Sequence, residues 1–274
     1  RLSQEVNKIE AQNLSKTLEV PATNDEISRL TISFNKMLAR LDEAFTAQKQ
    51  FSANAAHELR TPLAVIQTNL EVFARREAPA LKDYQEIFAM LQEQTGRLSH
   101  LAEILLDMTG VQTVERSERI SLAALTDEVF CDLASVAEQK DIELIQQEGD
   151  CIITGSYLLL YRAVYNLVEN AIKYNHSGGK VTVNIHLSEE ITDTSTSVNY
   201  VFLEVSDTGI GIPPEYQEKI FTPFFRVDKS RSRAMGGAGL GLALVSEIVR
   251  QHNGQVKVLE SSKKGSVIAI MLPV

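Results

Sequence analysis

The chain has 274 residues, with 27 Lys and Arg against 36 Asp and Glu, a formal net charge of -9 and a pI near 5.2. That length allows one large or two modest domains with real cores, and the acidic balance argues against direct nucleic-acid binding. No run approaches the roughly 20 apolar residues that span a bilayer, no signal peptide is read, and a start at Arg1 rather than Met reads as a piece of a longer protein. Cys131 and Cys151 lack metal-ligand spacing and read as plain buried thiols in a reducing cytosol.

Residues 1–46 show a short first helix and a connector with Leu14 and Leu18 or Val20 as its apolar anchors. A second helix opens at Asn24-Asp25-Glu26, where an N-cap and an acidic first turn suit the helix dipole. Ile27, Leu30, Phe34, Met37, Leu41 and Phe45 then alternate three and four apart, as a coiled-coil seam does. Phe51, Ala55, Leu59, Ile66, Leu70 and Phe73 continue the helical spacing. His57 lies about 200° around the helix from Ala55, counted at about 100° per residue, so it points away from the seam and can reach a partner. Glu58 beside it can hold one ring nitrogen protonated and leave the other nucleophilic. Pro62 cannot donate to the carbonyl of Glu58, which predicts a bend just past the histidine. Taken alone, His57 also reads as a solvated surface histidine.

After the turn Arg76-Glu77-Ala78-Pro79-Ala80, a second stripe runs Tyr84, Ile87, Leu91, Leu98, Leu101, Leu105, Met108. Two antiparallel helices cannot cover both apolar faces, which predicts a homodimer forming a four-helix bundle. The alternative is packing on the C-terminal domain of the same chain. From Ile120 onward the texture is mixed. Helical spacing covers 122–139, 157–174 and 240–252; strands are predicted at 142–145, 151–154, 180–187, 200–206, 255–260 and 266–271. Residues 188–199, rich in Ser and Thr, read as a mobile hairpin connection. The pattern predicts an α/β sandwich with one sheet. His100, His176, His186 and His252 have no setting like that of His57 and read as structural or solvent-exposed.

Asn166 and Asn170 are four apart, hence on one helix face, and an amide oxygen suits magnesium when phosphates supply the other ligands. Exposed helical asparagine is the bland reading. Asp207 ends the apolar strand Val201-Phe202-Leu203-Glu204-Val205, where its carboxylate can accept from an adenine amine while Gly209 and Gly211 let backbone approach the ring. Asp before Gly is equally an ordinary turn. Gly237-x-Gly239-x-Gly241 precedes a helix whose free N–H groups favour an anion; the polar residues before it exclude a dinucleotide fingerprint. Arg226, Lys229, Arg231 and Arg233 read as cations on a flexible lid, which Phe221, Phe224 and Phe225 pin to the domain.

Five blocks stand in order: His57-Glu58-Leu59-Arg60-Thr61-Pro62-Leu63, Asn166 to Tyr174, Asp207 to Pro213, Phe221 to Phe225, and Gly237 to Leu242. Over nearly the whole chain they resemble a sensor histidine kinase of the bacterial two-component type. The resemblance implies an all-α bundle part followed by an α/β sandwich of the Bergerat ATP-binding fold, shared with gyrase-type ATPases. Residues 1–46 resemble a HAMP signalling module, which in that family follows a membrane span; the alternative is the start of a continuous coiled coil. Residues 47–112 match the dimerisation and phosphotransfer hairpin, and 117–274 the catalytic domain.

The same resemblance implies ATP and Mg2+ as cofactors. It puts Asn170 on the metal with Asn166 beside it, Lys173 at the phosphates and Tyr174 near the nucleoside, and adds Phe221, Arg226 and Leu240 to the nucleotide site. It implies autophosphorylation on His57, transfer to an aspartate of a cognate response regulator, and a regulator phosphatase activity using Thr61. It places the chain on the cytoplasmic side of a bacterial cell membrane, anchored by a span outside this sequence. Two positions depart from the family: Ala238 where a hydroxyl is usual, and Lys263 where a second glycine is usual. A chaperone- or topoisomerase-like ATPase would need a carboxylate where Asn166 stands. A non-catalytic ATP-gated scaffold would not need His57, Asn170 and Asp207 together.

Overall fold

Helix α1 runs over Glu26–Ala74, a segment without glycine and with Pro62 as its one proline. The computed structural model describes residues 18, 20, 26–111, 114–147, 149–191, 197–227 and 238–274, and the chain divides into units 1–64 and 65–274. Pro62 lies inside α1 without ending it, because one missing ladder bond does not break so long a helix. In the first unit Asn35 clamps the connector: its Nδ2 donates to the Leu18 carbonyl at 2.9 Å and its Oδ1 accepts the Leu18 N–H at 2.8 Å. Leu18 is buried and Val20 exposed, so Leu18 is the anchor of that pair; Leu14 and the cap residues Asn24 and Asp25 lie outside the described residues. Ile27, Leu30, Met37, Leu41 and Phe45 stay exposed along α1.

In the second unit, α2 (Leu81–Gly110) follows a turn fixed by Asp83, which accepts the Ala80 N–H at 2.8 Å and pairs with Arg76. Those two partners hold the Asp83 carboxyl below the usual aspartate range. Phe73 meets Tyr84 edge-to-face at 5.0 Å across the turn. The last turns of α2 pack on the C-terminal domain of the same chain: Leu101, Ile104 and Val111 are buried, and Asp107 pairs with Arg162 of that domain.

That domain comprises β1 (Glu118–Ser121), α3 (Leu122–Gln139), β2 (Glu143–Gln146), β3 (Ile152–Gly155), α4 (Tyr157–Lys173), β4 (Lys180–Ile191), β5 (Ser197–Asp207), α5 (Gly241–Gln251), β6 (Gln255–Ser262) and β7 (Gly265–Pro273). The main sheet has the order β2-β4-β5-β7-β6, with β2 parallel to β4 and the other pairs antiparallel. Val183, Val205 and Ile268 stand in one cross-strand row, and Ile185, Leu203 and Ile270 in the next, all buried. Helices α3, α4 and α5 bring Leu125, Val129 and Leu133, Leu160, Val164 and Leu167, and Leu244, Val245 and Ile248 to the core at helical spacing. Each fully buried leucine there contributes about 1.5–3 kcal/mol relative to exposure.

Three expectations need correction. A second sheet exists, because β1, with Ile120 as its single apolar residue, is too short to show a period and pairs with β3. The 188–199 connection is mostly strand: the ladder runs from Ser188↔Tyr200 to Ile191↔Ser197, since each strand satisfies the backbone N–H and C=O groups of the other; 192–196 lie outside the described residues. Cys131 is exposed rather than buried, on the outer face of α3; Cys151 is buried, and burial raises its thiol pKa. His252, by contrast, is structural, as expected. It is buried, its Nε2 accepts the Ser156 N–H at 3.1 Å, and its Nδ1 donates to the Ile248 carbonyl at 2.8 Å, while burial lowers its pKa.

Candidate nucleotide site and phosphoacceptor histidine

Helix α4 opens where Ser156 Oγ accepts the Leu159 N–H and closes where Lys140 Nζ donates to the carbonyls of Ile172 and Lys173 at 3.3 and 2.8 Å. With Leu160, Val164, Leu167, Val168, Ala171 and Ile172 buried, the helix holds Asn166, Asn170 and Lys173 half-buried at its rim. Asn166 Nδ2 donates to the Arg162 carbonyl at 2.8 Å, which orients its oxygen. A Cβ on Gly241 would stand 2.6 Å from that Oδ1 and 3.6 Å from Asn170 Nδ2. The start of α5 therefore meets both asparagines only because residue 241 is glycine.

Central strand β5 delivers Asp207 at its end, beside Val181 and Ser266 of its neighbours. Its Oδ1 accepts the Gly209 N–H at 2.7 Å. Burial pushes the carboxyl pKa up, and the N–H groups of Gly209 and Ser266, with His176 nearby, pull it back. The following loop is stapled to the β6–β7 hairpin: Ile212 N–H donates to Ser261 Oγ at 2.7 Å, and Gly211, at φ +72°, would place a Cβ 1.8 Å from the Ser262 carbonyl. Ile210 N–H reaches the Tyr174 carbonyl at 3.3 Å, joining this loop to the end of α4.

One pocket collects Asn166, Asn170, Lys173 and Tyr174 from α4, Asp207 and Gly211 from the β5 loop, and Arg226, Gly239, Leu240 and Gly241 from the segments before and at α5. Val205, Leu167 and Ile268 give it an apolar floor. Phe221 does not line it, and Ile220 and Phe225 do; Gly209 sits behind Asp207. Gly237, Lys229, Arg231 and Arg233 lie outside the described residues. The flanks of that segment are tied where Phe224 N–H donates to the Gly239 carbonyl at 2.8 Å.

Two cations, Lys173 and Arg226, share the pocket lining with the carboxyls of Glu169 and Asp207. Burial lowers the Lys173 pKa below the usual lysine range, Glu169 opposes, and Arg226, Lys140 and Arg97 push down further. Arg226 Nε and Nη2 are buried with no hydrogen-bond partner among the described residues, an arrangement that calls for an anion. Of the two departures, Ala238 lines the pocket without a hydroxyl, whereas exposed Lys263 occupies a two-residue hairpin turn and needs no positive φ.

In the first unit, His57 and Thr61 are exposed on α1 and Glu58 is half-buried. Thr61 Oγ1 donates to the His57 carbonyl at 3.2 Å. No hydrogen bond joins His57 to Glu58 among the described residues, since adjacent helix positions point about 100° apart. Sequence reasoning missed His100 and Ile104 of α2, which also line the pocket. Their four-residue spacing was legible, but nothing local says which domain such a face meets.

Three family models match in series: the HAMP domain over 1–43, the His Kinase A (phospho-acceptor) domain over 47–113, and the histidine kinase-, DNA gyrase B- and HSP90-like ATPase over 155–274. Sensor histidine kinase RppB of Synechocystis is 35% identical over 85% of this chain and 50% of its own length. Sensor histidine kinase CusS of Escherichia coli K12 is 30% identical over 99% of this chain and 55% of its own length. The chain thus spans about half the length of the curated relatives it matches. Among solved structures, histidine kinase ThkA in complex with response regulator TrrA shares the fold at a TM-score of 0.63 and 22% identity, over 91% of this chain and 68% of that one. With the three domain models matching in this order along most of its length, the chain belongs to the bacterial two-component sensor histidine kinases.

Proposed function

We propose that the chain is an ATP-dependent protein-histidine kinase that phosphorylates His57 and then passes the phosphoryl group to an aspartate of a partner response regulator. The observation that carries this is the pocket itself. It combines a half-buried carboxylate, Asp207, suited to an adenine amine, with Lys173 and the Arg226 guanidinium, whose Nε and Nη2 have no partner among the described residues, suited to a polyphosphate. The α5 N-terminus adds free N–H groups facing the same space. A ring nitrogen of neutral His57 attacks the γ-phosphorus in line. The N–P bond forms as the bond to the β–γ bridging oxygen breaks and ADP leaves, and the proton on the other ring nitrogen passes to the Glu58 carboxylate once side-chain rotation brings it within reach.

Asn170, whose amide lies beside Gly241, would hold Mg2+ through its oxygen, with Asn166 next to it. When bound, the ion neutralises charge on the β- and γ-phosphates. The expected result is ATP affinity about ten-fold tighter with Mg2+ than with EDTA in the native chain and equal in both for Asn170→Ala. The same Mg2+ dependence in the two proteins would remove Asn170 from the metal.

The chain works as a homodimer through the exposed apolar stripes of α1 and α2, as its phosphoacceptor-domain match supports. The complex known for ThkA supports a receiver domain as partner, and the HAMP match supports a membrane-associated sensor with this part in the cytoplasm, although no described helix is long and apolar enough to cross a bilayer. Thr61, one turn beyond His57, orients water on the regulator's phosphoaspartate, giving a second, phosphatase activity. Thr61→Ala is expected to slow regulator dephosphorylation at least about ten-fold while His57 phosphorylation persists, since positioning a reacting water is worth that order or more. Unchanged dephosphorylation with intact kinase activity would remove that role.

A further inference from the structure

Three features of α2 converge on the pocket. His100, exposed to solvent, and Ile104, buried, form part of its wall together with Lys173 and Arg226. Two turns further on, Asp107 pairs with Arg162, a part-buried ion pair whose side chains are 13% and 28% exposed. Arg162 is also the residue whose carbonyl orients Asn166, so the pair acts directly on the asparagine helix. Arg97, one turn before His100, is close enough to help lower the Lys173 pKa, which puts this stretch of α2 at the cationic end of the pocket.

We propose that α2 is a working wall of the nucleotide site: His100 touches the polyphosphate of the bound nucleotide, and the Asp107–Arg162 pair holds it there. This rests on the reading of the pocket as an ATP site. Nucleotide affinity then depends on the bundle helix being docked. By linkage, bound nucleotide tightens that docking by the same factor, so displacement of α2 by a signal lowers occupancy without touching the α4 residues. A side chain on a separate helix gives the pocket a removable contact. Those on α4 and β5 are fixed by the core.

The test is Mg2+-ATP titration calorimetry on the native chain, His100→Ala, Arg162→Ala and the double variant. His100 is a surface side chain, so its removal leaves the fold intact. His100→Ala is expected to weaken ATP about five-fold, the lower end of typical coupling between sites. Arg162→Ala should weaken it at least as much, and His100→Ala should add nothing in that background, because the wall has already left. The exchanged pair Asp107→Arg with Arg162→Asp should recover native affinity to within about two-fold. The proposal is overturned by native affinity in His100→Ala, or by an equal loss from His100→Ala with and without the ion pair. A native chain that binds no ATP would instead defeat the underlying reading of the pocket.

Discussion

Replacing Asp207 by Asn is expected to weaken ATP binding about 10- to 100-fold while leaving the unliganded fold as stable as before, or slightly more so. The affinity loss follows from exchanging a charged acceptor for a neutral amide at a site with one dominant hydrogen bond, a difference of about 1.5–3 kcal/mol. The stability effect has the opposite sign. Burial raises the Asp207 pKa above 3.8 in the folded chain. As pH rises past that value the unfolded chain therefore ionises first, and the native state loses stability through the window up to its own higher pKa. The deficit remains at neutral pH. Asn removes the buried charge and with it the deficit. Calorimetric titration beside thermal melts at pH 7 checks both halves. A melting temperature that falls in step with affinity would make Asp207 a structural carboxylate instead.

The second large effect belongs to Gly211. At φ +72°, with the Ser262 carbonyl 1.8 Å from any added Cβ, alanine must both strain the backbone and push the β6–β7 hairpin away. Strain of this kind costs about 1–3 kcal/mol, and the displaced Ile212–Ser261 bond adds about 1 kcal/mol. For a domain of this size the melting point should drop about 5–10 °C. Because Ile210, Gly211 and Ile212 line the pocket, ATP affinity should fall as well. Lys263→Gly, in the exposed turn of the same hairpin, is the matched control and should change neither. A Gly211→Ala chain with native melting and affinity would show that the loop is not held as described.

Much of this was legible because the chemistry and the core use the same periods. The four-residue step of Asn166 and Asn170 is the step that buries Leu160, Val164, Leu167 and Val168, so placing the helix placed the amides. Asp207 could be read from the apolar strand it terminates, and α3 from an uninterrupted apolar stripe. What could not be read were features set by partners distant in sequence. Strand β1 exists because β3 lies beside it, and the extended β4–β5 ribbon because each strand satisfies the other's ladder. Phe221 was assigned to the pocket by its place in a motif, but a 3₁₀ turn at Lys219–Phe221 turns its neighbour Ile220 inward. His100 was set aside because a lone histidine on an amphipathic helix carries no local sign of the domain that comes to meet it.

The central claim is that ATP in this pocket phosphorylates His57. Its most direct test incubates the native chain and His57→Gln with γ-labelled ATP and Mg2+, then challenges the labelled protein with acid and with alkali. The account predicts label on the native chain that is lost in acid and kept in alkali, and none on His57→Gln despite unchanged ATP affinity. Label on His57→Gln, or acid-stable label on the native chain, would contradict it.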